Sequence, residues 1–169
     1  MSDLDDYRKA KDRFFQLDTQ SPLTSEQKKT FKGMVYFPEN PDLDLELPLE
    51  LYPEPAHVSM QTSTGDVQEY RQIGQIRFNV GGEEAVLQVY EADMGGYLFM
   101  PFVDATAPHE TYGAGRYLEP EVTTPNQVRV DFNLAYNPYC AYNDMWSCPI
   151  PPRENRIKLR IEAGEKVFK

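Results

Sequence analysis

The sequence predicts a mainly β protein, an antiparallel barrel or sandwich with an amphipathic helix at its N-terminus. Three observations carry that expectation. Beyond residue 42 apolar and polar residues alternate with a period of two, the alternating runs are short and bounded by turn residues, and no long helical pattern separates them. A chain of 169 residues is long enough for one domain with a substantial core and short for two, so residues 1–169 are expected to form a single domain with 1–30 as a helical segment packed on it.

Each element has its own signal. Leu4, Tyr7, Phe14 and Leu17 recur at intervals close to one helical face, which predicts a surface helix over 3–17 packed through those four side chains. Ser2 is placed to cap it, and Asp3, Asp5 and Asp6 suit a helix N-terminus. Thr24 followed by Gln27 has capping-box spacing, which predicts a second short helix ended by Gly33. In "LDLELPLELY" the leucines 43, 45, 47, 49 and 51 alternate with mostly acidic residues, and Pro48 puts that strand at an edge or a bulge. Val58, Met60 and Thr62 continue the period, and "STGD" turns the chain into a strand from Val67 to Ile73. "RFNVGGEEAVLQVY" reads as a hairpin whose Gly81–Gly82 supplies the positive backbone angles of a tight primed turn. "GGYLFMPFV", "QVRVDF" and "RIKLRIE" complete at least seven strands.

Composition bounds the partners. A formal net charge of −10 argues against binding nucleic acid, which needs clustered Lys and Arg, and disfavours anionic membrane surfaces. No stretch approaches the roughly twenty apolar residues of a membrane span. The first ten residues lack the basic and apolar regions of a secretory signal, so the expected location is cytoplasmic with both cysteines reduced.

Two segments, 104–117 and 133–155, have no regular period. Structureless loops beyond about 12 residues are often functional. In the first, Gly113 and Gly115 flank Ala114, and Arg116 presents a planar five-donor fork suited to a carboxylate or phosphate. The plainer alternative is a bend whose Arg116 pairs with Asp131 or Glu154. The second combines aromatic residues with asparagines, which satisfy loop backbone and also orient small ligands. The leading functional expectation is therefore a small polar or anionic molecule held between the two loops. Arg116 provides charge, Asn133 and Asn137 orientation, Tyr112, Tyr136 and Tyr142 walls, with Asp131, Glu154 and Asn155 beside them.

Other chemistry is open at this level. Cys140 as nucleophile with His109 as base, or Asp131 and Glu154 as an acid and base pair, would make a hydrolase or transferase. The proline-rich "CPIPPREN" could instead be a docking surface. The Cys-x7-Cys spacing of Cys140 and Cys148 fits neither a redox Cys-x-x-Cys nor a zinc knuckle, so no metal is expected. Pro138 and Pro149 restrict the loop and should hold the two thiols close, with a disulfide left open. A turn through Pro120–Pro125 would pair the strands beginning at Arg116 and ending at Asp131, so that those two residues meet. No P-loop or dinucleotide fingerprint is present, and the sequence names no cofactor and no oligomeric state.

"ETYGAGRYLE", "DFNLAYNPYCAY" and "SCPIPPRENRIKLRIEAGEK", with "SPL", "FKGMVYFP" and "YLFMPFVDAT" upstream, together resemble the archaeal and bacterial family of unknown function numbered 1684. The resemblance runs over nearly the entire chain. It implies that Thr111, Tyr112, Gly113, Gly115, Arg116, Tyr117, Asp131, Asn133, Tyr136, Asn137, Pro138, Cys140, Cys148, Pro149, Pro151, Pro152, Glu154 and Asn155 are signature positions. It implies no activity. His109 lies where the chain departs from the family's pattern, which weakens it as a family-wide catalytic group.

Overall fold

The computed structural model describes residues 3–92 and 96–168; the capping role assigned to Ser2 lies outside them. Helix α1 spans Asp3–Leu17 and α2 spans Ser25–Thr30. The capping box of α2 is formed on both sides, with the Gln27 amide donating to Thr24 Oγ1 at 3.2 Å and the Thr24 amide donating to Gln27 Oε1 at 2.9 Å. Helix α2 ends at Thr30, three residues before Gly33.

Eight strands follow among the described residues: β1 (Asp44–Pro48), β2 (Glu50–Gln61), β3 (Val67–Val80), β4 (Glu83–Ala92), β5 (Leu98–Phe102), β6 (Arg116–Leu118), β7 (Glu121–Thr124) and β8 (Gln127–Asp131). They form two antiparallel sheets, a three-stranded one in the order β1-β8-β7 and a five-stranded one in the order β2-β3-β4-β5-β6. The expected hairpin is present, with Val80 opposite Glu83 and both glycines between them at positive φ, 59° for Gly81 and 84° for Gly82. The sheets are not closed into a barrel. They share a core in which Ile76, Phe78, Leu87, Val89 and Met100 from the larger sheet meet Val128 and Val130 from the smaller, with Phe132 and Ile161 filling in. No helix is long and apolar enough to cross a membrane among the described residues, a statement that leaves membrane β-barrels aside.

The leucine-rich stretch is two strands and not one. Pro48 cannot donate to a ladder, and the chain leaves the small sheet there, turns at buried Leu49 and enters the large sheet as β2. The alternation is lost after that corner, so Leu51 is exposed and Tyr52 turns partly inward.

Three further expectations are corrected. In α1 the buried side chains are Leu4 and Phe15, while Tyr7 is 47% and Leu17 70% exposed. The inward face is Leu4, Arg8, Lys11, Asp12 and Phe15, with Phe14 partly buried beside it, so that Leu4 and Phe14 of the four expected side chains pack and Tyr7 and Leu17 do not; the polar middle of the inward face breaks its apolar periodicity. "RIKLRIE" is not a strand. It lies along the 103–105 segment through Ile157 amide to Val103 oxygen at 2.8 Å and Ala105 amide to Leu159 oxygen at 2.8 Å, with one parallel bridge between Val103 and Arg156. The strands at Arg116 and Asp131 do not pair: β6 joins β5 in the large sheet, and β8 pairs with β7 and β1 in the small one.

Candidate functional site

Arg116 opens β6 and is buried, with 1% of its surface exposed. Gly115 places it there. Its φ of +99° is strained for any residue with a side chain, and a Cβ at this position would stand 2.5 Å from the Phe102 carbonyl oxygen. The guanidinium donates to the carbonyls of Ala163, Ile161 (3.0 Å) and Glu165 (3.2 Å) and to the Asp104 carboxylate (3.3 Å). Burial lowers its pKa and the Asp104 charge opposes that shift. Asp104 also accepts from the Ile161 amide at 2.6 Å and from Thr106 Oγ1. The Arg has a carboxylate partner, as the plainer sequence reading required, but the partner is Asp104 and not Asp131 or Glu154. The guanidinium nitrogens that end the fork are spent on the C-terminal segment, which removes Arg116 as the charge for an anion.

The asparagines behave in the same way. Asn133 pairs with the Asn40 backbone, accepting from its amide at 2.8 Å and donating to its oxygen at 2.9 Å. Asn155 accepts from the Gln88 amide (2.7 Å) and donates to the oxygens of Gln88 (2.9 Å) and Pro101 (2.8 Å). Asn155 thus substitutes for a missing strand partner between β4 and β5, and Asn133 ties down the backbone ahead of β1. Asp131 accepts from the Asn133 amide and lies 3.7 Å from Arg129. Glu154 sits exposed in the short turn Arg153–Asn155, beside Tyr90 of the other sheet. Asp131 and Glu154 share no partner.

Asn137 and Tyr142 do converge, on a residue the sequence reading passed over. Glu165, 1% exposed, accepts from the Asn137 amide at 2.9 Å and from the Tyr142 hydroxyl at 3.3 Å, and forms an ion pair with Lys11 of α1. Burial and the Glu165 charge together raise the pKa of Tyr142 and of Tyr36. The Lys11 ammonium lies 5.2 Å from the Tyr136 ring centroid and 5.5 Å from that of Phe15. The available sequence signal was a charged residue facing inward in the middle of α1, which implies a buried counter-charge.

Beside this ion pair a cleft of about 460 Å3 runs between α1 and the segment after β8, walled by Tyr7, Phe14, Phe15, Tyr136 and Tyr139 with Lys11 and Glu119 at its polar edge. Glu119 Oε1 accepts from the Tyr136 hydroxyl at 2.9 Å. The cleft adjoins a smaller hollow of about 170 Å3 that shares Tyr7, Glu119 and Tyr136 and reaches Val130 and Asp131.

The cysteines form a third constellation. The Cys140 amide donates to Cys148 Sγ at 3.3 Å, and the Tyr112 hydroxyl to Cys140 Sγ at 3.6 Å. Both thiols are free, Cys148 buried and Cys140 half-buried. Hydrogen bonds from the Cys148 thiol, Tyr112 and Ser63 bring the Cys140 pKa down to about 6, against the opposing effect of burial, while that of Cys148 is pushed up by its bond to Cys140. The expectation that the two cysteines lie together holds.

Fold and site together define a two-sheet β protein whose long loops are tied down by buried Arg and Asn clamps, leaving an aromatic cleft and a thiol pair. The chain belongs to the family described as protein of unknown function (DUF1684), whose model matches residues 29–166; α1 precedes the matched region. It is also similar to the solution structure of an uncharacterised protein of Haloarcula marismortui, with a TM-score of 0.73 and 36% identity over 96% of this chain and 91% of that one. No protein with a curated description matches.

Proposed function

We propose that this protein binds a small polar molecule in the cleft between α1 and the segment following β8. The observation that carries the reading is the set of five aromatic side chains, Tyr7, Phe14, Phe15, Tyr136 and Tyr139, around a cleft of about 460 Å3 edged by charge. Rings bury a ligand's body while a few polar groups orient it. Lys11 is already committed to Glu165, so the exposed charge left to face a ligand is Glu119. That favours a ligand presenting a donor or a cation over an anion. The site thus moves from between the two long loops to between the second loop and α1, keeping Tyr136 of the residues singled out in sequence.

Titration of the full chain with tyramine, benzyl alcohol and benzoate, followed by nuclear magnetic resonance, tests this. Tyramine should shift the resonances of Tyr7, Glu119 and Tyr136, and Glu119→Gln should weaken its binding. If none of the three probes moves those resonances, or if benzoate binds best, the reading is wrong. The hydrolase or transferase alternative at Cys140 has the lowered thiol pKa in its favour, but the side chains bonded to that sulfur act as donors and none as a base.

A further inference from the structure

We propose that Cys140 and Cys148 form a thiol–disulfide exchange site that takes low-molecular-weight disulfides, with Cys140 as the attacking sulfur and Cys148 as the resolving one. This is independent of the cleft beside α1 and rests on how the chain holds the two thiols.

Cys148 is fixed. Its carbonyl accepts from the Ser63 amide at 2.9 Å, its own amide donates to Ser63 Oγ at 3.2 Å, and the next residues are stitched to the end of β2 through Ile150 amide to Gln61 oxygen at 2.8 Å. Cys140 stands in the short turn Tyr139–Ala141, after Pro138, as a half-buried residue, the more exposed of the two cysteines. The Cys140 amide donates to Cys148 Sγ at 3.3 Å, so the second sulfur already stands against the residue that carries the first.

The donors are arranged for charge on either sulfur. A thiolate at Cys140 is met by the Tyr112 hydroxyl at 3.6 Å, and charge on Cys148 Sγ is met by the Cys140 amide at 3.3 Å. An exchange site needs this, because each sulfur is in turn nucleophile and leaving group. In the first step the Cys140 thiolate attacks one sulfur of the small disulfide, forming a mixed disulfide and expelling one thiolate. In the second, Cys148 gives its proton to the departed thiolate and attacks the Cys140 sulfur, forming the Cys140–Cys148 bond and expelling the second thiolate, which takes its proton from water. The protein loses two electrons and two protons, and the small disulfide becomes two thiols.

Trp146, the chain's one tryptophan, packs against the same cluster as both cysteines and reports the change. Reduced full-length protein treated with oxidised glutathione should lose the mass of two hydrogens, shift its tryptophan emission and accumulate no adduct. Cys148→Ala should stop at a single glutathione on Cys140, and Cys140→Ala should remain unmodified over the same time. A thiolate of low pKa is a weaker nucleophile, which largely offsets its greater abundance at neutral pH, so the pH profile discriminates better than the rate. The wild-type reaction should be half-maximal near the Cys140 pKa of about 6. In Cys148→Ala, which lacks the leading donor, the midpoint should move toward the ordinary thiol value. Should a substitution unfold the chain, alkylation of the wild type with peptide mapping decides, since Cys140 must be labelled before Cys148. Equal labelling, a persistent glutathione adduct on the wild type, or a midpoint at the ordinary thiol value would each overturn the assignment.

Discussion

At the scale of single residues, a planar fork buried against three carbonyls and one carboxylate does what no flexible point charge can. Lysine at position 116 would keep the charge, but one ammonium cannot reach Ala163, Ile161, Glu165 and Asp104 together. Arg116→Lys is therefore expected to cost about 2–3 kcal/mol, the order of leaving buried acceptors unpaired. Chemical denaturation would measure it, and an unchanged midpoint would contradict the clamp. Asn155→Ala should cost a similar amount, because it strands the Gln88 amide and two carbonyls inside the large sheet. Neither substitution should alter tyramine binding in the protein that still folds, since neither side chain lines the cleft.

At the scale of elements, α1 is held by two kinds of contact. Phe15 packs edge-on to Tyr142 with ring centroids 5.1 Å apart, and Lys11 pairs with Glu165. Phe15→Ala should cost about 3–5 kcal/mol by the usual cost of emptying an aromatic site, whereas Leu17→Ala, at a position 70% exposed, should stay within about 0.5 kcal/mol. Comparing their melting temperatures tests which face of the helix is docked. In the small sheet Asp44 lies directly opposite Asp131, and Arg129 reaches both, at 2.8 Å and 3.7 Å. Its hydrogen bond is the leading cause of the lowered Asp44 pKa, with burial opposing. A carboxylate depressed on folding adds stability that is present above the unfolded value near 3.8 and lost as pH falls through the folded one. Arg129→Ala should remove that contribution, at most about 1 kcal/mol because the pair is partly exposed, and should flatten the acid limb of the stability curve.

At the scale of the whole molecule, both sheets contribute to one core, and the C-terminal segment crosses to Arg116, Asn137 and Glu110. Thermal unfolding should accordingly be a single transition by circular dichroism and by Trp146 emission alike; separated transitions would mean that α1 or the small sheet melts alone. A net charge of −10 makes the folded state repel itself. The melting temperature should rise when ionic strength is brought from low to physiological values, where the screening length is about 8 Å.

The period-two patterning of the β3–β4 hairpin and of β8, the glycine pair and the capping box are local, and each determined its element from the sequence alone, because side-chain direction and turn angles are set within a few residues; "RIKLRIE" carries the same pattern and is not a strand, because no neighbour pairs with it as a ladder. The closeness of Cys140 and Cys148 was legible for the same reason, with prolines confining a short loop. The partner of Arg116 was not. The candidates weighed were Asp131 and Glu154, before and within the second loop, while the partner, Asp104, opens the first loop and is brought to Arg116 because the Arg116 end of β6 meets Phe102 at the end of β5, a pairing across sheet neighbours that carries no mark in the chain. The cleft was illegible too. Lys11 and Glu165 stand at opposite ends of the sequence, and their ion pair exists because tertiary packing lays an amphipathic helix, polar in the middle of its inward face, over the last residues of the fold. Local rules determined what each segment is; burial, which makes a charge find its counter-charge wherever the chain brings one, decided which segments meet.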